Sequence, residues 1–285
     1  MQRPQPIRKY LIRTLLLLGA LLLGLGLFIE AADRYLSSQR GAEWLYEDIG
    51  QPKSINYSES GLRYLTVGDT SLQPLLLLHG APGGLFDWLP LAGQDSLYRQ
   101  FYLIIPERRG YGGTRPRQPE PDVAAQASEM ALLLSDAANK PATVAGHSYG
   151  APIAAALAGL SPGQVRQLYA ISGQYDPSSE VTFSISYWVA HPFFSYFMPS
   201  MLWSANTEKL EHPDALVRAE PLFQSIKCPT YIIHGDEDAL VPYSNAAYLA
   251  ERVPQAEVFT LKGESHPVHV QMPAFFARLF LRKAQ

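Results

Sequence analysis

The chain has 285 residues, of which 47% are hydrophobic, 17% charged and 11% aromatic, a balance that suits one large α/β domain with an insertion, or two small domains. A net charge of -3, with no large basic run beyond the first residues, excludes a nucleic-acid footprint. The single cysteine, Cys228, excludes an internal disulfide framework and any cysteine-rich metal site, and its place at the head of an apolar run marks it as a structural thiol.

The first thirty residues stand apart. Arg3, Arg8, Lys9 and Arg13 precede an uncharged apolar stretch from Thr14 to Ile29. Counted strictly, that stretch falls between the apolar region of a cleaved signal and a spanning helix. If Arg13 snorkels toward the headgroups, the span begins near Tyr10 and reaches spanning length. Around Glu30, Ala31 and Ala32 no small residue stands where a cleavage site wants one. An uncleaved signal anchor over residues 1–30 is therefore expected. Its basic flank would keep the N-terminus cytoplasmic and send the remainder outside; secretion after cleavage is the alternative.

Residues 31–53 read as a linker of mixed charge. From Ile55, "INYSES" and "LRYLTVG" alternate as strands around a turn at Ser60-Gly61. "PLLLLHG" and "FYLIIPE" are short apolar runs of the kind buried on both faces of a parallel sheet, with "LFDWLPLAGQDSLY" helical between them. Asp122 is a candidate N-cap for a helix over "DVAAQASEMALLLSDAANK". Strand "ATVAGH", helix "YGAPIAAALAGL" and strand "VRQLYAIS" follow. After an interruption come strand "PTYIIHG", helix "NAAYLAERV", strand "AEVFTLKG" and helix "PAFFARLFLRK". This alternation predicts a mostly parallel sheet with helices on both faces, built from 54–173 and 222–285. The interruption, 174–221, is crowded with aromatic residues and is expected to form a cap inserted between two strands.

One motif falls at a telling place. In "VAGHSYGAP", Gly146 and Gly150 bracket Ser148 where a strand gives way to a helix. A sharp strand-to-helix turn strains the serine, and glycines on either side remove the clashes that would forbid it. The same turn sets Ser148 at a helix N-terminus, where negative charge is favoured.

Several separate stretches together resemble the α/β-hydrolase family over about 54–283. "HGAPGG" is similar to its His-Gly-x-Pro loop, and "ERRGYGGT" to its Asp-x-Arg-Gly-x-Gly-x-Ser segment, from which Glu107 and Thr114 depart. "GHSYG" resembles the nucleophile elbow, "CPTYIIHGDEDALVP" the acid-bearing strand and loop, and "GESHPVHVQMP" the histidine loop. The resemblance implies an α/β-hydrolase fold with an inserted cap. It also implies Ser148 as nucleophile, His266 as base and Asp238 as acid, with Asp176 the alternative acid. Of the remaining histidines, His79, His147 and His234 are expected to pack in or beside strands. His191 and His212 fall in the cap, and His269 supports or lines the site. The oxyanion donors implied are the backbone N–H groups of Ala81 and Tyr149.

Serine at the elbow argues against relatives that open epoxides or displace halide through an aspartate. The expected reaction is acyl transfer to water, of carboxylesterase type, on a small apolar substrate, with no cofactor and no metal. Trp88, Tyr187, Trp188 and Phe194 are the candidate substrate-binding residues. The aromatic residues of the cap would otherwise simply pack it onto the domain, or touch a bilayer. An aminopeptidase-like enzyme, an acyltransferase and a catalytically silent membrane-anchored binding protein are the alternatives.

Overall fold

Strict alternation along the strands decides which side chains meet which layer. The computed structural model describes residues 6–49 and 53–284, so Arg3 of the basic flank, residues 50–52 of the expected linker and Gln285 lie outside the described residues. The strands are β1 (Lys53–Tyr57), β2 (Arg63–Val67), β3 (Gln73–Leu78), β4 (Phe101–Pro106), β5 (Ala142–His147), β6 (Val165–Ile171), β7 (Thr230–Gly235) and β8 (Glu257–Leu261). They form one sheet in the order β1-β2-β4-β3-β5-β6-β7-β8. The β1/β2 and β2/β4 pairs are antiparallel and all others parallel, as expected of a mostly parallel sheet.

The helices are α1 (Pro6–Leu36), α2 (Gln39–Leu45), α3 (Leu89–Ala92), α4 (Asp95–Tyr98), α5 (Val123–Ala137), α6 (Gly150–Leu160), α7 (Ser184–Val189), α8 (Pro192–Ser195), α9 (Ser200–Gln224), α10 (Ser244–Arg252), α11 (Val268–Gln271) and α12 (Pro273–Ala284). Leu76, Leu78, Val144, Leu168 and Ile232 point to a core shared with α5, α6, α9 and α10. Their neighbours Leu75, Leu77, Ala145, Tyr169 and Ile233 point the other way, to α3, α4, α11 and α12. A period of two thus produces two hydrophobic cores, one on each face of the sheet. Asp122 caps α5 by accepting from the Ala125 N–H at 2.9 Å.

Two stretches differ from the sequence reading. Residues 31–36 continue α1, and Ser38 caps α2, so much of the expected linker is helical. The second is α9, which runs for 25 residues through Pro213 and Pro221 within the stretch that shows no clean alternation of strand and helix. Its buried residues are Ser200, Ser204, Glu208, His212, Ala215, Leu216, Ala219 and Phe223, a true helical stripe. The first half of that stripe is polar. A search for apolar periodicity passes over it.

Lys9–Leu36 is long and apolar enough to cross a membrane, and none of its apolar window is buried inside the protein. The parallel strands β5, β7 and β8 deliver their following loops to one edge of the sheet. Ser148 follows β5, Asp238 follows β7 and His266 follows β8. Ligand sites of open α/β sheets collect at these carboxyl ends.

Candidate active site

The backbone at Ser148 is held at φ 54°, in the left-handed region that non-glycine residues seldom occupy. The flanking glycines explain how that turn is reached. A Cβ on Gly146 would stand 2.2 Å from the Gly150 carbonyl oxygen, and one on Gly150 would stand 2.5 Å from the carbonyl oxygens of both Leu78 and His79. All these obstacles are backbone atoms. Any side chain at either position forces strand, loop and helix apart.

The turn brings Ser148 Oγ to 2.9 Å from His266 Nε2, and His266 Nδ1 lies 2.7 Å from Asp238 Oδ2. The acceptor oxygen of Asp238 places the proton on Nδ1, which leaves the Nε2 lone pair facing the serine hydroxyl. Asp238 is itself firmly held. Its Oδ1 accepts from the N–H groups of Leu240 and Val241, each at 2.9 Å, and His234 Nε2 approaches Oδ2 at 3.3 Å. Burial alone would raise this carboxyl; the bonds from His234, His266 and Val241 outweigh it and hold it well below the usual carboxylate range. Asp176, the alternative acid, instead accepts from the Ser178 N–H at 2.9 Å in its own local turn.

The loop after β3 is fixed from below. His79 Nδ1–H donates to the Gly80 carbonyl at 2.8 Å, and His79 Nε2 accepts from the Arg108 N–H at 3.0 Å. Arg108 donates in turn to the carbonyls of His79 at 3.1 Å and Gly80 at 2.8 Å. Among the described residues, the N–H groups of Ala81 and Tyr149 donate to no protein acceptor, and both residues border the same cavity as Ser148. Glu107 and Thr114, which depart from the family pattern, both serve β2. Glu107 pairs with Arg63 at 2.8 Å, and Thr114 Oγ1 accepts from the Arg63 N–H at 2.9 Å.

Beside Ser148, His266 and Asp238 runs a column of rings: Trp88 packs on His269, His269 on His147 at 3.9 Å, and His147 on His266 at 4.8 Å. His147 Nε2–H donates to the His266 carbonyl at 3.1 Å, tying the histidine loop to the elbow. Burial, with a smaller contribution from the charge of His266, pushes His269 down to about 3. The folded protein keeps this imidazole neutral, whereas the unfolded chain protonates it near 6.5. Its contribution to stability is therefore complete above about pH 6.5 and is lost as pH falls toward 3. His269→Phe, which preserves the ring stack, should flatten the loss of stability between pH 6.5 and 4.5 by up to about 1.4 kcal/mol per pH unit. Urea unfolding at several pH values in that window measures the difference in slope.

The cavity over Ser148 has a volume of about 680 Å³. None of the four candidate substrate-binding residues lines it, and the sequence reading is corrected here. Trp88 is fully buried beneath His269, while Tyr187, Trp188 and Phe194 are exposed on the outer side of the segment between β6 and β7. Helical phase is the reason: on α7, the buried Ser186 and half-buried Val189 face the cavity with Ile185 at its exposed rim, so 187 and 188 turn outward. Leu202, Ala205, Asn206, Lys209 and His212 line the cavity from one side of α9, with Met198 just before the helix, and sequence reasoning missed all of them. Their three- and four-residue spacing was the available signal. Glu180, also in the wall, is ion-paired with Lys209 and accepts from His212 Nδ1–H at 3.0 Å. The cavity therefore has an apolar wall and one polar corner.

A family model described as "Alpha/beta hydrolase family" matches residues 75–279. The chain is 26% identical over 238 residues to a Caulobacter sp. (strain K31) protein named "Putative carbamate hydrolase RutD", covering 72% of this chain and 87% of that one. Among solved structures, it is similar to "a putative lipase (lip1) from Acinetobacter baumannii AYE", at TM-score 0.66 and 18% identity over 86% of this chain and 95% of the other. It is also similar to a bacterial "membrane phospholipase A", at TM-score 0.65 and 20% identity over 96% of this chain and 97% of the other. At these identities the two structures speak for the fold alone.

Proposed function

The chain belongs to the alpha/beta hydrolase family, and from that premise we propose that it is a serine hydrolase that cleaves an acyl ester carrying an apolar group. The observation that carries the reading is the unbroken line Asp238 Oδ2, His266 Nδ1, His266 Nε2, Ser148 Oγ, with contacts of 2.7 and 2.9 Å. In the proposed reaction Ser148 Oγ attacks the ester carbonyl carbon as His266 Nε2 takes the hydroxyl proton. Negative charge gathers on the carbonyl oxygen, toward which the Ala81 and Tyr149 N–H groups donate. The C–O bond then breaks, His266 returns the proton to the departing alkoxide, and an acyl-Ser148 remains. Water, deprotonated by the same imidazole, releases the carboxylic acid and restores the serine. The apolar wall of Val181, Phe183, Val189, Met198 and Leu202 suits a hydrocarbon chain rather than a charged substrate. Residues 174–221 serve in this reading as the cap that encloses it. The apolar helix α1 acts as an uncleaved signal anchor, with the catalytic domain on the outer side of the membrane.

The full chain in detergent should be labelled by a fluorophosphonate probe at Ser148, located by peptide mapping, and should hydrolyse a chain-length series of p-nitrophenyl esters. Labelling absent from folded protein, together with no turnover of any ester in the series, would show a silent binding protein instead. Transfer of the acyl group to an added alcohol in preference to water would show an acyltransferase.

A further inference from the structure

From Val181 to Thr207 the chain carries no Asp, Glu, Lys or Arg. In a protein that is 17% charged, a run of that length on the surface is anomalous. The run is indeed on the surface. Tyr196 is 80% exposed, Trp188 67% and Phe193 63%, with Tyr187, Phe194 and Phe197 exposed beside them. Elsewhere on the catalytic domain, among the described residues, exposed apolar side chains such as Leu132, Leu160 and Val217 are scattered along the chain. A contiguous aromatic patch marks a contact surface.

The structure also shows where this patch stands relative to α1. A Cβ on Gly26 would lie 3.6 Å from the Phe197 carbonyl oxygen, and the Glu30 carboxylate accepts from the Ser200 N–H at 2.6 Å and from Ser200 Oγ at 2.9 Å. Glu30 is the first charge after the apolar stretch that begins at Thr14. At a rise of about 1.5 Å per residue, Gly26 lies roughly 6 Å inside that boundary. Phe197 is therefore level with the end of the hydrocarbon layer, where Trp and Tyr are favoured. Arg117 fixes the segment to the domain by donating to the carbonyls of Ser195 at 2.8 Å and Met198 at 2.5 Å. The same segment reaches the cavity. Phe183 and Ile185 are both exposed and cavity-lining, so they form an apolar rim between the patch and the space over Ser148.

From this placement we infer that the outer face of residues 183–197 sits in the headgroup region of the bilayer that holds α1, and that the cavity takes the acyl chain of a neutral membrane lipid directly from that bilayer. The inference rests on the hydrolase reading and on α1 as an anchor. Electrostatic attraction to anionic lipid does not drive the docking, because residues 183–197 carry no Lys or Arg. Aromatic and apolar insertion alone supplies the contact.

Two measurements on the full chain, reconstituted in vesicles of 1-palmitoyl-2-oleoyl-phosphatidylcholine, test it separately. In the first, nitroxide labels are placed by Trp188→Cys or Tyr196→Cys in a Cys228→Ser background, with Val217→Cys on α9 as the aqueous reference. The ratio of oxygen to nickel-chelate collision should be at least threefold higher at 188 and 196 than at 217; any smaller difference overturns the docking. In the second, Phe193→Asp with Tyr196→Asp, neither of which lines the cavity, should slow fatty-acid release from the vesicle lipid at least tenfold. Turnover of monomeric p-nitrophenyl butyrate should stay within twofold. No change in either rate, or an equal fall in both, overturns entry from the bilayer. Labels at bilayer depth in a chain that turns over neither ester would instead refute the hydrolase reading and leave the docking standing.

Discussion

His266→Ala should cleave the best p-nitrophenyl ester about a million-fold more slowly than the native chain, and Asp238→Asn about ten-thousand-fold more slowly. The first figure follows from removing the only base in contact with the Ser148 hydroxyl among the described residues. The second follows from the hydrogen-bond pattern around Asp238. Its Oδ1 accepts from the N–H groups of Leu240 and Val241, so an asparagine must put its carbonyl oxygen there. Its NH2 then takes the place of Oδ2, against His266 Nδ1 and the Nε2–H of His234. A donor at that point requires Nδ1 to accept, which moves the imidazole proton to Nε2 and aims it at Ser148. The base is present but holds the wrong tautomer. Because the residues act as one unit, adding Asp238→Asn to His266→Ala should cost little more. The value of kcat, with far-ultraviolet circular dichroism to check folding, reads out all three variants. Asp238→Asn within tenfold of the native rate would remove Asp238 from the reaction.

The parts of this site that lie in contiguous motifs were legible in the sequence. Gly146, Ser148 and Gly150 fall within five residues, and the acid and histidine loops each follow an apolar strand that announces itself. The sheet was legible for the same reason, since runs such as Leu75–Leu78 are buried on both faces and carry no ambiguity. What escaped depends on the phase of helices. Trp188 looks like a substrate-binding residue until α7 is drawn, when Ser186 and Val189 face the cavity and Trp188 turns outward. The buried stripe of α9 escaped because Ser200, Ser204, Glu208 and His212 are polar, and each is paired with a partner far away in sequence. Ser204 donates to the Gly110 carbonyl, and Glu208 receives Arg108. Tertiary pairing, which no local pattern records, made a polar face into an interior one.

That pairing gives the largest stability effect to be expected from one side chain. Arg108 and Glu208 are both fully buried, joined by two contacts of 2.5 and 3.1 Å, and Tyr111 donates its hydroxyl to Glu208 at 2.6 Å. Glu208→Gln keeps the shape and removes the charge, leaving the Arg108 guanidinium uncompensated in the interior. Breaking a buried pair in this way costs about 3–5 kcal/mol. For a domain of this size that is a fall in Tm on the order of 10 °C, measurable by scanning calorimetry. Adding Arg108→Met removes the orphaned charge, so the double variant should recover at least half of the lost stability. Activity should not return with it. Arg108 also supports the carbonyls of His79 and Gly80, and through them the loop that carries the Ala81 N–H, the proposed oxyanion donor. A double variant restored in Tm yet at least tenfold slower in kcat would separate the two duties of this arginine. Recovery of both together would confine it to holding α9 against the sheet.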